Sequence, residues 1–102
     1  MIVVRTVLQA KFGTGGKLAA SFKETTSAMM AEMGTKRGWR VLTDLSGPFD
    51  TVVQEVEAES LAEWETMRTK LFQLNAFRDS MAVIQELVVS GQNELWTVEA
   101  EG

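Results

Sequence analysis

The stretch WRVLTDLSGPFDTVVQEVE, residues 39–57, decides the fold of this chain. Its first part, Trp39–Leu45, alternates between two sets of side chains with the period of two that is typical of a β-strand. Its last part, Phe49–Glu57, is rich in valine and also favours a strand. Because Ser46-Gly47-Pro48 between them is a strong turn signal, the stretch predicts a β-hairpin.

The residues before the hairpin predict one strand and one helix. Ile2–Ala10 is rich in β-branched residues and carries apolar side chains on both faces, which indicates a central strand covered on each side. Glycines then interrupt the strand, and apolar residues recur at helical spacing up to Gly34, a residue type that commonly ends helices. The first helix is therefore expected at about 14–33.

The residues after the hairpin predict a second helical region and a final strand. Ser60, followed three residues later by Glu63, forms a capping box in which each side chain can bond the other's backbone amide. The apolar stripe of the helix that begins there has an irregularity near Asn75. Ser90-Gly91 is expected to close this helix, and Glu94–Glu99 is expected to form the last strand.

The order of these elements is β-α-β-β-α-β, the ferredoxin-like arrangement of an α+β domain. It predicts a four-stranded antiparallel sheet with the helices on one face, built as a single domain over residues 1–102. The other face of the sheet would be bare. Because the first strand has apolar residues on both faces, we expect a second copy of the same sheet to cover it, as a homodimer.

Charge and composition exclude several classes of partner and site. The net charge is −4, so the long-range field repels phosphate backbones and anionic lipids, and neither nucleic acid nor a membrane is expected as a partner. The chain has no Cys, His or Tyr, which excludes thiolate metal sites, Ser-His and Cys-His pairs, and the common haem ligands. We expect no metal and no cofactor, and a cytoplasmic location.

Three segments carry a resemblance to a known family: Arg40–Thr51, which reads RVLTDLSGPFDT, Glu59–Glu65, which reads ESLAEWE, and Val89–Trp96, which reads VSGQNELW. Together they suggest that the chain resembles the dimeric α/β-barrel superfamily, and within it the small bacterial NIPSNAP-like domains. The resemblance implies that two ferredoxin-like subunits pack sheet against sheet as a barrel.

The superfamily contains haem-degrading enzymes, cofactor-independent monooxygenases and uncharacterised proteins, and the fold does not choose among them. Haem degradation commonly uses a histidine ligand, which this chain lacks. Cofactor-independent oxygenation in the superfamily is associated with Asn and Trp in a pocket. Asn75, Asn93 and the three tryptophans do not align residue by residue with those positions, so no catalytic residue is carried over.

Charged residues inside the predicted strands are candidate ligand-binding residues, because a buried charge needs a partner or a purpose. Arg5 lies on the central strand and either binds an anionic ligand or pairs with Asp44, Asp50 or Glu55. Arg40 and Asp44 share one face of their strand and are further candidates. Asp44 and Asp50 flank the turn, where they either hold a hard cation, divide acid and base roles or, as we favour, accept backbone amide bonds.

The tryptophans are also candidates. Trp64 lies on the apolar stripe of the second helix and is predicted to be core, whereas Trp39 and Trp96 lie on strands where each could line a pocket or fill a dimer interface. The glycine-rich Gly13–Lys17 precedes a helix, but its spacing does not match a phosphate-binding loop. We interpret it as a connection, with weak anion binding as the alternative.

Three functional hypotheses follow. The leading one is a homodimer that binds a small apolar or weakly anionic ligand between its paired sheets, through Arg5, Trp39, Arg40, Asp44 and Trp96. The second is a cofactor-independent monooxygenase-like enzyme acting on a small aromatic metabolite. The third is a structural or partner-binding module with no pocket. The sequence leaves open whether the chain is an enzyme.

Overall fold

The computed structural model describes residues 1–34 and 37–102. In these ranges, a sheet of four strands is joined by three helices, and neighbouring strands are antiparallel in the order β2-β3-β1-β4. This confirms the ferredoxin-like α+β fold. The elements in chain order are β1 (Ile2–Ala10), α1 (Gly15–Met33), β2 (Trp39–Thr43), β3 (Thr51–Ala58), α2 (Leu61–Gln73), α3 (Asn75–Leu87) and β4 (Val88–Thr97).

The predicted second helix is divided into two at Leu74. This residue is extended, with φ −79° and ψ 138°, and it serves both as the C-cap of α2 and as the N-cap of α3. Its N–H still donates to the carbonyl of Leu71 at 3.1 Å, while its own carbonyl accepts from the N–H of Arg78 at 3.2 Å. The irregularity expected near Asn75 is therefore a change of helix direction.

The N-terminus of α2 forms as predicted on one side of the capping box. The Ser60 hydroxyl accepts from the N–H of Glu63 at 3.2 Å, and the expected reciprocal bond is replaced by one from the N–H of Glu59 to the Glu63 carboxylate at 3.3 Å. Arg37 also binds this region, at 2.7 Å from Glu59 and 3.3 Å from Glu63. Desolvation lowers the pKa of Arg37, but its hydrogen bond and charge interaction with Glu63, and those with Glu59, outweigh this and raise it.

The last strand differs from its prediction. We expected Ser90-Gly91 to close a helix and a strand to follow at Glu94–Glu99, but β4 already begins at Val88 and ends at Thr97. Pairing with β1 along nearly its whole length overrides the polar composition of the strand's first half. Gly91 belongs there for a packing reason, since a Cβ at this position would lie 2.3 Å from the Leu8 Cδ2 atom.

The core lies between the helices and one face of the sheet. It confirms Trp64 as a core residue and shows the methionines near the end of α1 filling space against the sheet, as we expected. Two clusters of buried residues make up this core: Val4, Met29, Met30, Val56, Ala58, Trp64 and Met67 in one, and Ala10, Leu18, Phe22 and Val52 in the other.

One polar contact crosses this apolar layer. The Gln54 side-chain amide on β3 donates to the hydroxyl of Thr26 on α1 at 2.5 Å, and Thr26 is fully buried. The bond gives the buried Thr26 hydroxyl a partner, and it ties α1 to the middle of the sheet. Of the helices in the described ranges, none has the length and apolar character needed to cross a membrane.

Candidate functional site

The sheet has a second face, on the side away from the helices. Val4 and Val56 face the helices, so strand alternation turns Val3, Arg5 and the residues paired with them to the other side. We call this surface the open face. Its residues, read from the strand register, are Arg40 and Leu42 on β2, Thr51, Val53, Glu55 and Glu57 on β3, Val3, Arg5, Val7 and Gln9 on β1, and Ser90, Gln92, Glu94 and Trp96 on β4.

Four charged residues cross the open face in a single line. Arg40 pairs with Glu55, Glu55 with Arg5, and Arg5 with Glu94, so one residue from each strand lies directly opposite the next. The signs alternate from β2 to β4. Arg40 Nε contacts Glu55 at 2.6 Å, and Arg5 Nε lies 3.9 Å from Glu55 and 3.8 Å from Glu94. We call this line the charge row.

The Arg5 guanidinium lies between the carboxylates of Glu55 and Glu94, and both are at ion-pair distance from its Nε atom. Among the described residues, its buried Nε has no hydrogen-bond partner, because both carboxylates are at ion-pair distance only. Glu55 is among the ion-pair partners that the sequence suggested for Arg5, and Glu94 is an additional one. An anionic ligand would have to compete with both carboxylates at this position.

A hollow of about 240 Å³ lies beside the charge row, at the start of β2. We call it the Gly38 hollow. The Gly38 N–H donates to the Glu57 carboxylate at 3.3 Å, and a Cβ on Gly38 would lie 3.0 Å from that carboxylate, so glycine keeps the space open. The residues that line the hollow are Val3, Gly38, Trp39, Arg40, Glu55 and Glu57.

Trp96 lies on the open face at the opposite edge of the sheet. Its indole N–H donates to the Glu94 carboxylate at 3.0 Å, and Gln92 donates to the same carboxylate from the other side. Its ring stays 57% exposed, so a large apolar surface is held in a fixed place without being covered. Leu42, on the edge strand β2, is also exposed on this face.

The five candidate residues do not form one site. Arg5, Arg40 and Trp96 lie on the open face, whereas Trp39 packs against the core cluster on the helix side, although it borders the Gly38 hollow. Trp39 also lines an open cleft of about 320 Å³ between α1 and β2. Asp44 follows β2 and accepts a hydrogen bond from the N–H of Thr51 at 3.0 Å. Asp44 thus has the turn role that we favoured for it.

Asp50 binds backbone amides of the glycine-rich connection. Its carboxylate accepts from the N–H of Gly13 at 2.7 Å and from that of Gly15 at 2.9 Å. The amides that an anion would need are therefore occupied by a carboxylate of the chain itself, which favours our interpretation of Gly13–Lys17 as a connection. In residues 1–34 and 37–102, no group of three or more His, Cys, Asp or Glu side chains is placed to hold a metal ion.

Sequence reasoning missed Glu55, Glu94 and Gly38 as members of this surface. The sequence indicates Glu55 only as an ion-pair partner for Arg5, and it predicts Glu94 as the first residue of a shorter strand. The alternation of Gln92, Glu94 and Trp96 was the available signal, since these residues share one face once the strand begins earlier. Gly38 had no signal in the sequence, because its importance depends on Glu57 of the next strand.

The arrangement defines a class of protein: a ferredoxin-like α+β domain whose sheet has one face packed by helices and one face left open. Searches with family models found no match, and searches of curated proteins found none either. Solved structures with the same fold were found at low sequence identity. At such identities the likeness shows the fold.

Two of these structures are NIPSNAP proteins of Burkholderia xenovorans. An uncharacterised NIPSNAP-like domain protein aligns with a TM-score of 0.80 at 19% identity, covering 99% of this chain and 87% of that chain. An uncharacterised NIPSNAP domain protein aligns with a TM-score of 0.78 at 13% identity, covering 98% and 96%. A putative antibiotic biosynthesis monooxygenase from Nitrosomonas europaea aligns with a TM-score of 0.76 at 7% identity, covering 98% and 100%. The chain thus shares the fold of the proteins that its sequence resembles.

Proposed function

We propose that the chain acts as a homodimer that pairs the open faces of its sheets and binds a small apolar ligand between them. The observation that carries the proposal is the open face itself, where Trp96 is 57% and Leu42 38% exposed on a surface the helices do not pack against. Exposed apolar side chains held in fixed places on a sheet are typical of an interaction surface. A second sheet of the same kind fits such a face.

The charges of the Gly38 hollow favour a neutral ligand. Its lining contains one cation, Arg40, and two carboxylates, Glu55 and Glu57. Arg40 is already bound to Glu55 at 2.6 Å, so the hollow offers an anion no unpaired cation and one carboxylate in excess. Of the two ligand types expected from the sequence, the geometry therefore supports the apolar one over the weakly anionic one.

Molar mass and probe binding test this function together. Light scattering during size-exclusion chromatography across a dilution series should give twice the chain mass, and a monomer at every concentration would contradict the proposal. Nile red, a neutral planar dye, should bind saturably with increased fluorescence. The anionic dye 8-anilinonaphthalene-1-sulfonate should bind at least about tenfold more weakly.

A variant with a filled Gly38 hollow, compared with a control variant, tests whether the dye binds there. Gly38→Val adds a side chain where a Cβ already approaches Glu57, so it should reduce Nile red affinity at least about tenfold. Gly16→Ala adds a methyl group where nothing lies within 4 Å, and it should leave the affinity unchanged. Equal binding to both variants would place the dye elsewhere and would contradict the site.

A second candidate function is that of a cofactor-independent monooxygenase-like enzyme acting on a small aromatic metabolite. The fold likeness to a putative antibiotic biosynthesis monooxygenase favours it. Oxygen uptake with a panel of small quinols and naphthols should then be saturable and should fall in Gly38→Val. Oxygen uptake equal to that of buffer across the panel would contradict the enzymatic function and leave ligand binding as the proposed function.

We also propose that residues 1–102 form one ferredoxin-like domain and that the protein is cytoplasmic, as predicted from the sequence. Limited proteolysis should leave one protected fragment of nearly full size, and cell fractionation checks the location. Cleavage into two stable fragments would contradict the single domain.

A further inference from the structure

We infer that the charge row fixes how two copies pair, and that each copy closes the Gly38 hollow of the other with Trp96. This inference rests on the homodimer proposed above and adds its orientation. The two-fold axis would lie parallel to the strands, midway between β3 and β1. Rotation about such an axis leaves each residue at the same height along the strands. It reverses the order of the strands in the second sheet relative to the first.

The alternation of the charge row makes it complementary to its own reverse. In this orientation Arg40 faces Glu94 of the second copy, and Arg5 faces Glu55 of the second copy. A two-fold axis along the row would instead place each charge on its own counterpart. Moving that axis halfway toward the line of Leu42 would place three of the four charges opposite apolar side chains, which is costly because buried charges need partners.

The partial exposure of the Arg5 side chain agrees with this orientation. Its buried Nε–H donates to no partner among the described residues and lies 3.8 Å or more from both carboxylates of its own chain, but 40% of the side chain is exposed. The central pairs, Arg5 with Glu55 of the second copy, lie nearest the axis. They stay aligned even though packed sheets rotate relative to each other by about 30°. In this orientation the exposed part of the Arg5 side chain faces a carboxylate of the second copy.

The next line of residues supplies an apolar centre. Leu42, Val53, Val7 and Gln92 lie opposite one another across the four strands, in the same way as the charge row. The reversed order places Val53 on Val7 of the second copy and Leu42 on Gln92 of the second copy. Val53 is only 7% exposed and Leu42 is 38% exposed, so Leu42 offers more exposed apolar surface to the second copy than Val53 does.

The line on the other side of the charge row places Trp96 over the hollow. Gly38 lies opposite Glu57, Glu57 opposite Val3, and Val3 opposite Trp96. In the reversed order, Trp96 of the second copy faces Gly38 and the hollow of about 240 Å³. The hollow is thus incomplete in one copy, and the indole forms its last wall. A flat, neutral aromatic ligand that stacks on the indole fits this enclosure.

Cross-linking tests the orientation directly, because the chain has no cysteine of its own. Packed sheets lie about 10 Å apart, too far for a disulfide, so a short bismaleimide is the suitable reagent. Neither Leu42→Cys nor Gln92→Cys alone should give a covalent dimer, since each residue lies far from its own counterpart. An equal mixture of the two variants, after exchange of subunits, should give one.

The outcomes separate this inference from the dimer itself. If light scattering shows a dimer but the mixture does not cross-link, or if Leu42→Cys cross-links alone, the orientation is wrong and the dimer stands. If light scattering shows a monomer, both are wrong. A covalent dimer formed only in the mixture supports the orientation.

Charge reversal gives an independent test. Arg40→Glu and Glu94→Arg should each raise the dimer dissociation constant at least about tenfold, because each places like charges opposite one another across the interface. The double variant restores opposite charges between copies but puts like charges side by side within each copy. Recovery of the dimer in the double variant supports the pairing between copies, and a further loss overturns it. Circular dichroism confirms that the variants are folded.

Nile red binding tests the role of the indole. Trp96→Ala should weaken binding at least about tenfold, although the residues that line the hollow are intact. Leu95→Ala is the matched control, because this neighbour is similarly exposed, at 52% against 57%, but points to the other side of the strand. Unchanged binding in Trp96→Ala would show that Trp96 does not close the hollow.

Discussion

Replacement of Asp50 by alanine should destabilise the protein by about 3 kcal/mol, the sum of two effects at one residue. The carboxylate accepts hydrogen bonds from Gly13 at 2.7 Å and Gly15 at 2.9 Å. Losing these charge-assisted bonds at a partly exposed site costs about 2 kcal/mol in total. Asp50 also has φ 60°, a left-handed conformation that costs alanine about 1 kcal/mol.

Asp50→Asn is the matched control for this variant. Asparagine tolerates the left-handed conformation and keeps one oxygen acceptor, so the loss should be about 1 kcal/mol. Urea unfolding followed by tryptophan fluorescence, at one fixed protein concentration, measures both variants. With a slope of about 2 kcal/mol per molar urea, Asp50→Ala should lower the midpoint by about 1.5 M at an unchanged slope.

Two results would refute the reasoning on Asp50. A loss below about 0.5 kcal/mol in Asp50→Ala would show that the carboxylate does not hold the connection before α1. Equal losses in the alanine and asparagine variants would show that neither the second hydrogen bond nor the backbone conformation contributes.

Other variants test the core and the helix cap. Met67→Ala empties a fully buried position and should cost about 2–5 kcal/mol in urea unfolding, whereas Leu61→Ala at an exposed site should cost about 0.5 kcal/mol or less. Thr26→Val leaves the half-buried Gln54 amide without its acceptor and should cost about 1–3 kcal/mol; if adding Gln54→Leu restores nothing, the bond is not the cause. Ser60→Ala removes the cap of α2 and should cost about 1 kcal/mol in thermal unfolding monitored by circular dichroism, and an unchanged midpoint would contradict this.

Local patterns in the sequence were sufficient to predict most of the fold. Strand alternation and a turn signal located the β2–β3 hairpin, and Ser60 marked the start of α2, because these features depend on residues close together in the chain. The start of β4 was not predictable in the same way. Val88 and the polar residues after it become a strand only because β1 pairs with them.

The open face was predictable in part. Alternation separated Arg40 and Leu42 from Trp39, but it did not show which set faces the helices. The charge row required the register of three strand pairs, because Arg5 meets Glu55 and Glu94 from distant parts of the sequence. Whether Arg5, Arg40 and Trp96 bind a ligand stays a prediction.

The position of β1 between β3 and β4 also has a kinetic consequence. Ile2 pairs with Thr97, so the central strand completes its ladder only with residues from the far end of the described chain. Contacts of such long sequence separation require a large loop to close before they stabilise anything, and they slow folding. During synthesis, β1 emerges long before β4, and one edge of β1 stays unpaired until β4 is made. The nascent chain is therefore most exposed to aggregation just before β4 is made.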